Sequence, residues 1–328
     1  MNSGEYTCEV CGGPATRVVA TGEDTEYGTT PGPFRYGLCE PCQHLFLVNR
    51  PPPAQLGQIY PPTYYTINPG SPLFLRGFIL RAKLRADVSR IARIVKDGTI
   101  NRVLDVGCGD GARLVHLKAR LRCPQLQLTG LDLQFSDEVR TRAAREGVHL
   151  VEGNVESRAT LAQLSGGFDL ILTSQLLEHL FWPRQTLARL GELLTPNGLI
   201  LIETPNWKAL DAWLFRRRFW GGFHFPRHFN VFSPESLARL VEHCGLSVRQ
   251  QGFLPSPGFW IISLRNWLGL NSCAFSRSRL EFINFRCLPV VAAFSLLDTL
   301  ILGLRGRTSN QYLVAGRTAS AVARECAA

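Results

Sequence analysis

The chain has 328 residues, is 45% hydrophobic and 10% aromatic, and carries a formal charge of +10. That apolar content excludes a disordered chain and is enough for one large domain with a small one beside it. Residues 1–204 hold 21 Lys/Arg against 20 Asp/Glu, whereas residues 205–328 hold 15 against 6. The basic excess therefore lies among the apolar runs of the C-terminal part, which favours a membrane face or an anionic amphiphile over a nucleic-acid groove. Met1–Glu5 lacks the basic and apolar regions of a signal peptide, and ten cysteines without one lead us to expect a cytoplasmic, reducing setting.

Residues 1–48 read as a small module. Cys8-Glu9-Val10-Cys11 and Cys39-Glu40-Pro41-Cys42 are two CxxC pairs, with short strands expected at 16–20 and 35–38. Four thiolates on such knuckles close a tetrahedral coordination sphere, so a structural Zn2+ on Cys8, Cys11, Cys39 and Cys42 is expected. So small a unit has little core of its own, and the metal is expected to supply much of its folding energy. Residues 49–72 are proline-rich, which predicts a semi-rigid connector without helix, its Tyr60, Tyr64 and Tyr65 packing on the next domain.

Helical spacing over 73–95 precedes the stretch around which the chain is organised. Val103-Leu104-Asp105-Val106 is an apolar run ending in Gly107-Cys108-Gly109-Asp110-Gly111, followed by apolar helical spacing from Ala112. That is a buried parallel strand, a tight turn against which a ligand can lie, and a helix N-terminus. Strands follow at 126–133, 149–155, 168–175, 199–203, 246–250 and 311–316, with helices between the early ones. The alternation predicts a doubly wound, seven-stranded α/β sheet. Ligands of such sheets bind at the carboxyl strand ends, where Gly107, Asp132, Asn154 and Ser174 fall. Two insertions interrupt the pattern: an aromatic and basic one at 207–232, and an apolar helical one at 253–309.

Taken in order, Asp105-x-Gly107-x-Gly109-x-Gly111, Asp132, Phe168-Asp169-Leu170-Ile171, Leu177-Glu178-His179 and Leu194-x-Pro196-x-Gly198 resemble the class I S-adenosylmethionine (SAM)-dependent methyltransferases. The cysteine pairs, Thr204-Pro205-Asn206 and Phe223-His224-Phe225-Pro226-Arg227-His228 resemble a bacterial subgroup that fuses a zinc ribbon to a domain like the ubiquinone-biosynthesis O-methyltransferases. The resemblance spans about 73–316 and implies a Rossmann-like sheet whose last strand is antiparallel. It implies that Gly107, Cys108, Gly109 and Gly111 approach the methionine part and ribose of SAM, with Asp105 supporting the turn or binding the amino group. Asp132, with Leu133 beside it, would accept the ribose hydroxyls; Asn154 and Val155 would border adenine; Ser174 and Gln175 would line the floor beside the sulfonium. A nicotinamide dehydrogenase is the rival, but its GxGxxG spacing differs from the even spacing here.

Methyl transfer needs an aligned nucleophile and, for a hydroxyl, a base. His179, His224 and His228 are the candidates, and at least one is expected to touch the acceptor. The ubiquinone-type relatives carry a metal-serving glutamate three residues before their Glu-His pair; Gln175 stands there, which argues against metal-assisted catalysis. The expected acceptor is a hydroxyl or carbon of a small molecule, sugar or lipid-linked glycan, with peripheral membrane contact through 253–309. RNA is disfavoured because the aromatics sit among aliphatic residues. A SAM-binding partner or sensor without turnover is the alternative of another class.

Overall fold

The computed structural model describes residues 6–60, 74–95, 100–121, 123–269, 282–285 and 287–318, and gives backbone alone over 74–83. Tyr64, Tyr65 and the end of the tail lie outside the described residues.

Three strands open the chain: β1 (Arg17–Gly22), β2 (Phe34–Cys39) and β3 (His44–Leu47). The connector carries a 3-10 turn at Pro53–Gln55 and one helical turn, α1 (Leu56–Ile59), so the expectation of no helix there is corrected. Proline is compatible with a first helical position, where no N–H is needed. After α2 (Phe74–Ile94), the elements alternate: β4 (Arg102–Val106), α3 (Ala112–Leu121), β5 (Gln127–Asp132), α4 (Asp137–Glu146), β6 (Val148–Glu152), α5 (Arg158–Leu161), β7 (Phe168–Ser174), α6 (Pro183–Glu192) and β8 (Leu194–Pro205). The remainder is α7 (Leu210–Leu214), β9 (Asn230–Val231), α8 (Pro234–His243), β10 (Leu246–Leu254), α9 (Pro257–Trp267), α10 (Leu288–Arg305) and β11 (Asn310–Arg317).

The large sheet has the order β10-β11-β8-β7-β4-β5-β6, with β11 antiparallel to both neighbours and the β8 to β6 run parallel. Its strands are apolar on both sides because helices cover both faces. Leu104, Val106, Leu131 and Ile171 face Leu187, Leu190, Leu237 and Leu240 of α6 and α8. Val103, Leu128, Leu170 and Leu172 face Val88, Ile91, Leu114 and Leu117 of α2 and α3. This fixes the carboxyl ends of β4, β5, β6 and β7 along one edge.

The second sheet, β1-β2-β3-β9, joins the two ends of the chain's logic: three strands come from the cysteine module and one from the aromatic insertion. Tyr36, Leu38, Leu45 and Leu47 pack with Phe181, Trp220, Phe223, Phe225 and Phe229 in one buried cluster. The module thus borrows its core from the insertion. Burying such rings is worth roughly 1.5–3 kcal/mol each, so packing adds to whatever a metal contributes.

Helix α10 lies on the surface. Asp298 and Ile301 are its buried residues, while Leu296, Leu300 and Leu304 form an exposed stripe at helical spacing. Asp298 explains itself: its carboxylate accepts from the Ser256 N–H at the start of α9 and from Trp260 Nε1 at 3.1 Å. By length and composition α10 can cross a membrane, with a hydropathy of 1.7 and 11% of its window buried. However, Leu254 pairs with Asn310, which returns both ends of the excursion to one sheet edge and opposes a single crossing.

Candidate active site

The turn after β4 is held from both sides. Gly107, Gly109 and Gly111 all have positive φ (73°, 57° and 70°), a conformation that L side chains rarely adopt. A Cβ at Gly109 or Gly111 would meet nothing within 4 Å, so the turn opens onto free space. Asp132, at the end of β5, closes it: Oδ2 accepts from Gly109 N and Oδ1 from Leu133 N, both at 2.7 Å. Each oxygen keeps a second lone pair, which is what a vicinal diol needs. Leu133 is 60% exposed beside it, an apolar plate on the rim. Cys108 and Val155 are buried: the Cys108 thiol packs behind the turn against Gly130 of β5, and its N–H donates to the Leu131 carbonyl. Asn154 Oδ1 accepts from Glu156 N, leaving its amide N–H groups as the donors on offer.

Beneath the turn lies a charged network. Burial raises the Asp105 carboxyl to about 6, with Arg113 3.6 Å away opposing the rise. Arg90 of α2 pairs with Glu203, which also accepts from Ser174 Oγ. Gln175, at positive φ, sends its amide to Asn310 Oδ1 and is exposed, so it offers no anionic ligand.

Three histidines from two distant segments meet: His179 after β7, and His224 and His228 of the aromatic insertion. His179 and His228 stand 4.6 Å apart by ring centroid, and His224 lies 5.0 Å from His228 and 6.3 Å from His179. Carbonyls assign the first two tautomers: Nδ1–H of His179 donates to Arg227 O (3.1 Å) and that of His228 to Gly222 O (2.8 Å). The Tyr60 hydroxyl is 2.9 Å from His179 Nδ1, and the residue also packs the connector onto the aromatic cluster of the second sheet, as expected. His224 Nδ1 is 3.0 Å from Glu26 Oε2. Its φ of 39° is a conformation that non-glycine residues hold only when the surroundings enforce it.

Burial sets the charges of this cluster. It pushes His179 down to about 3 and His228 well below the usual imidazole range, so both are neutral near pH 7. Burial also pushes Glu178 up to about 8; one oxygen accepts from Thr204 Oγ1 and the other has no protein partner. A raised carboxyl contributes stability that is complete below its unfolded value near 4.5 and is lost as pH rises through about 8. Thermal midpoints should therefore fall across that window in the wild type and stay flatter in Glu178→Gln. Parallel profiles of the two proteins would refute the assignment.

Cys8, Cys11, Cys39 and Cys42 each bring a sulfur within 4.8 Å of the others, and Cys11 Sγ is 3.6 Å from Cys39 Sγ. A tetrahedron on metal–sulfur bonds of about 2.3 Å has edges of ~3.8 Å, so the four thiols fit one ion. His44 Nδ1 lies 3.4 Å from Cys8 Sγ, placed to donate to a thiolate.

With this geometry in hand, the comparisons are direct. Residues 78–251 match the family described as a methyltransferase domain. The chain belongs to that methyltransferase family. Among curated relatives, a ubiquinone biosynthesis O-methyltransferase of Nitrosococcus oceani is 32% identical over 116 residues, 35% of this chain and 47% of that protein. An uncharacterized methyltransferase of Mycobacterium tuberculosis is 31% identical over 102 residues, 31% and 49% of the two chains. The chain thus spans about half the length of the curated relatives it matches. Among solved structures, magnesium protoporphyrin IX methyltransferase from Synechocystis PCC 6803 with bound SAH has 15% identity, a TM-score of 0.44, and coverage of 77% and 91%.

The sheet order and the antiparallel last strand of the chain agree with the expected fold class. Glu26, Tyr27 and Asp24 also reach the histidine loop, and the sequence does not nominate them. Asp24 takes both terminal nitrogens of Arg227 (2.9 and 3.0 Å) in a buried ion pair, and the Arg227 guanidinium lies 4.4 Å over the Tyr27 ring. No local signal marks them, since their partners are some two hundred residues away.

Proposed function

We propose that the chain transfers a methyl group from SAM to a hydroxyl of an amphiphilic acceptor, a sugar or lipid-linked glycan. The observation that carries this reading is the convergence of three imidazoles at the loop after β7, whose Leu176 packs against Gly107 of the open turn; two of them are kept neutral by burial. The turn and Asp132 would hold the cofactor, with Leu133 and Asn154 flanking adenine and Ser174 and Gln175 along the floor. SAM supplies a methyl carbon on a sulfonium; the acceptor oxygen displaces the sulfide in line, and its proton goes to a base. Of the three histidines, His224 has a carboxylate at hydrogen-bond distance and so carries the positive charge at least cost, whereas His179 and His228 orient the acceptor as neutral dipoles. We assign Zn2+ to the four cysteines, in a structural role with no open position.

The acceptor class rests on the exposed apolar and basic surface of α7, α9 and α10. Trp213, Leu214, Trp267, Leu296, Leu300 and Leu304 are exposed, with Arg216, Arg217, Arg218, Arg305 and Arg307 exposed around them. Soluble chains rarely leave so much apolar surface uncovered. Arginines near an anionic bilayer gain about 1 kcal/mol each, which favours a lipid face over a second, equally basic copy of the chain. Flotation tests this: the protein should rise with phosphatidylglycerol vesicles and stay down with neutral ones, and Leu300→Asp should weaken the partition. Equal behaviour with both vesicle types would remove the lipid-acceptor reading.

A further inference from the structure

The loop between β1 and β2 belongs to the cysteine module, yet its side chains end at the histidines. Asp24 organises it, accepting from Tyr27 N (3.1 Å), Thr29 N (2.8 Å) and Thr29 Oγ1 (2.7 Å) while clamping Arg227. Arg227 is wholly buried, and its own carbonyl takes the His179 Nδ1–H. The Tyr27 ring meets His224 edge-on at 6.2 Å. Tyr36 of β2 donates its hydroxyl to the carbonyls of Phe223 and His228, on either side of the cis Phe225-Pro226 bond. Against this frame, Glu26 reaches His224 Nδ1 with its side chain 18% exposed and that of His224 6% exposed.

We propose that the cysteine module is a wall of the acceptor site, and that Glu26 is a positioning residue of methyl transfer. Glu26 holds the proton of His224 on Nδ1, which makes Nε2 the basic nitrogen, and it faces the positive charge that forms when Nε2 takes the acceptor's proton. A carboxylate behind an imidazole commonly fixes the ring's tautomer and orientation in this way and raises its basicity. The proton passes from acceptor oxygen to Nε2 as the carbon–oxygen bond forms and the carbon–sulfur bond breaks, so the step needs no other reactant. This inference rests on the histidine reading of the site. It adds that the metal-bearing module is catalytically connected rather than a tether.

The test compares wild type, Glu26→Gln, Glu26→Asp, His224→Ala and, as a control on the same loop, Glu23→Gln. Long-range proton–nitrogen NMR reads the imidazole tautomers directly, and calorimetry with S-adenosylhomocysteine shows that each variant keeps its cofactor site. Transfer is followed as S-adenosylhomocysteine release with a bacterial membrane extract as acceptor. Glu26→Gln should lose the pure Nδ1–H signature of His224 and slow the maximal rate about 10²-fold, the lower range for a proton-transfer group, at an unchanged half-saturating extract concentration. Glu26→Asp should recover most of the rate, and Glu23→Gln should match wild type. If His224→Ala is slow while Glu26→Gln turns over at the wild-type rate, the inference is wrong and the histidine reading stands. If His224→Ala is also as fast as wild type, the histidine reading falls, and the inference with it.

Discussion

Asp132→Ala should bind S-adenosylhomocysteine at least ~100-fold more weakly than wild type. The carboxylate would make two charge-assisted bonds to the ribose diol, each worth about 1.5–3 kcal/mol, and 1.4 kcal/mol is a factor of ten. The same side chain also clamps Gly109 N and Leu133 N at 2.7 Å, so its loss loosens the turn that the cofactor lies on. Asp132→Asn keeps one acceptor and should fall between the two. Calorimetry reads all three proteins. An alanine variant binding within twofold of wild type would mean that the end of β5 does not hold the cofactor.

Stripping the Zn2+ that we assign to the cysteine module should abolish the proposed methyl transfer while leaving S-adenosylhomocysteine affinity within about threefold. Structural zinc contributes roughly 10–16 kcal/mol to small thiolate sites, comparable to the whole stability of a domain. Without it, Cys39 at the end of β2 and the strands it anchors lose their frame, and Asp24, Glu26 and Tyr36 go with them. The glycine turn and Asp132 belong to β4 and β5, whose Val103 and Leu128 pack on α2 and α3 away from the cysteines, so cofactor binding should survive. Cys39→Ser, with metal content measured on the same sample, is the genetic version. Full activity in metal-free protein would show that the module is a passive attachment.

What could be read from the sequence was what repeats locally. The β4 turn announces itself through an apolar run and evenly spaced glycines, and Asp132 through its place at the next strand's end. The cysteine pairs do so by spacing. In the second sheet β1 and β2 were legible as the short strands at 16–20 and 35–38, but β3 and β9 were not, because β3 has four residues, β9 has two, and β9 lies in an aromatic stretch with no period-2 pattern. The apolar alternation that marks a strand needs more length than that. Likewise His179, His224 and His228 could be nominated, but the partners that distinguish them come from residues 24–60, and sequence separation hides such contacts. Asp298 sits alone in the apolar run of α10, and nothing local in the sequence reveals its partners, the Ser256 N–H and the Trp260 indole some forty residues earlier.

The central claim is that this chain moves a methyl group to an amphiphile. Incubating it with methyl-labelled SAM and separated lipid, polysaccharide, small-molecule and RNA fractions of a bacterial lysate, with Asp132→Ala as the blank, tests that most directly. We predict label in the lipid fraction, absent with the variant and lost with His224→Ala. Label confined to RNA would contradict the acceptor class. No label in any fraction, from protein that still binds S-adenosylhomocysteine, would instead mark a cofactor-binding partner or sensor.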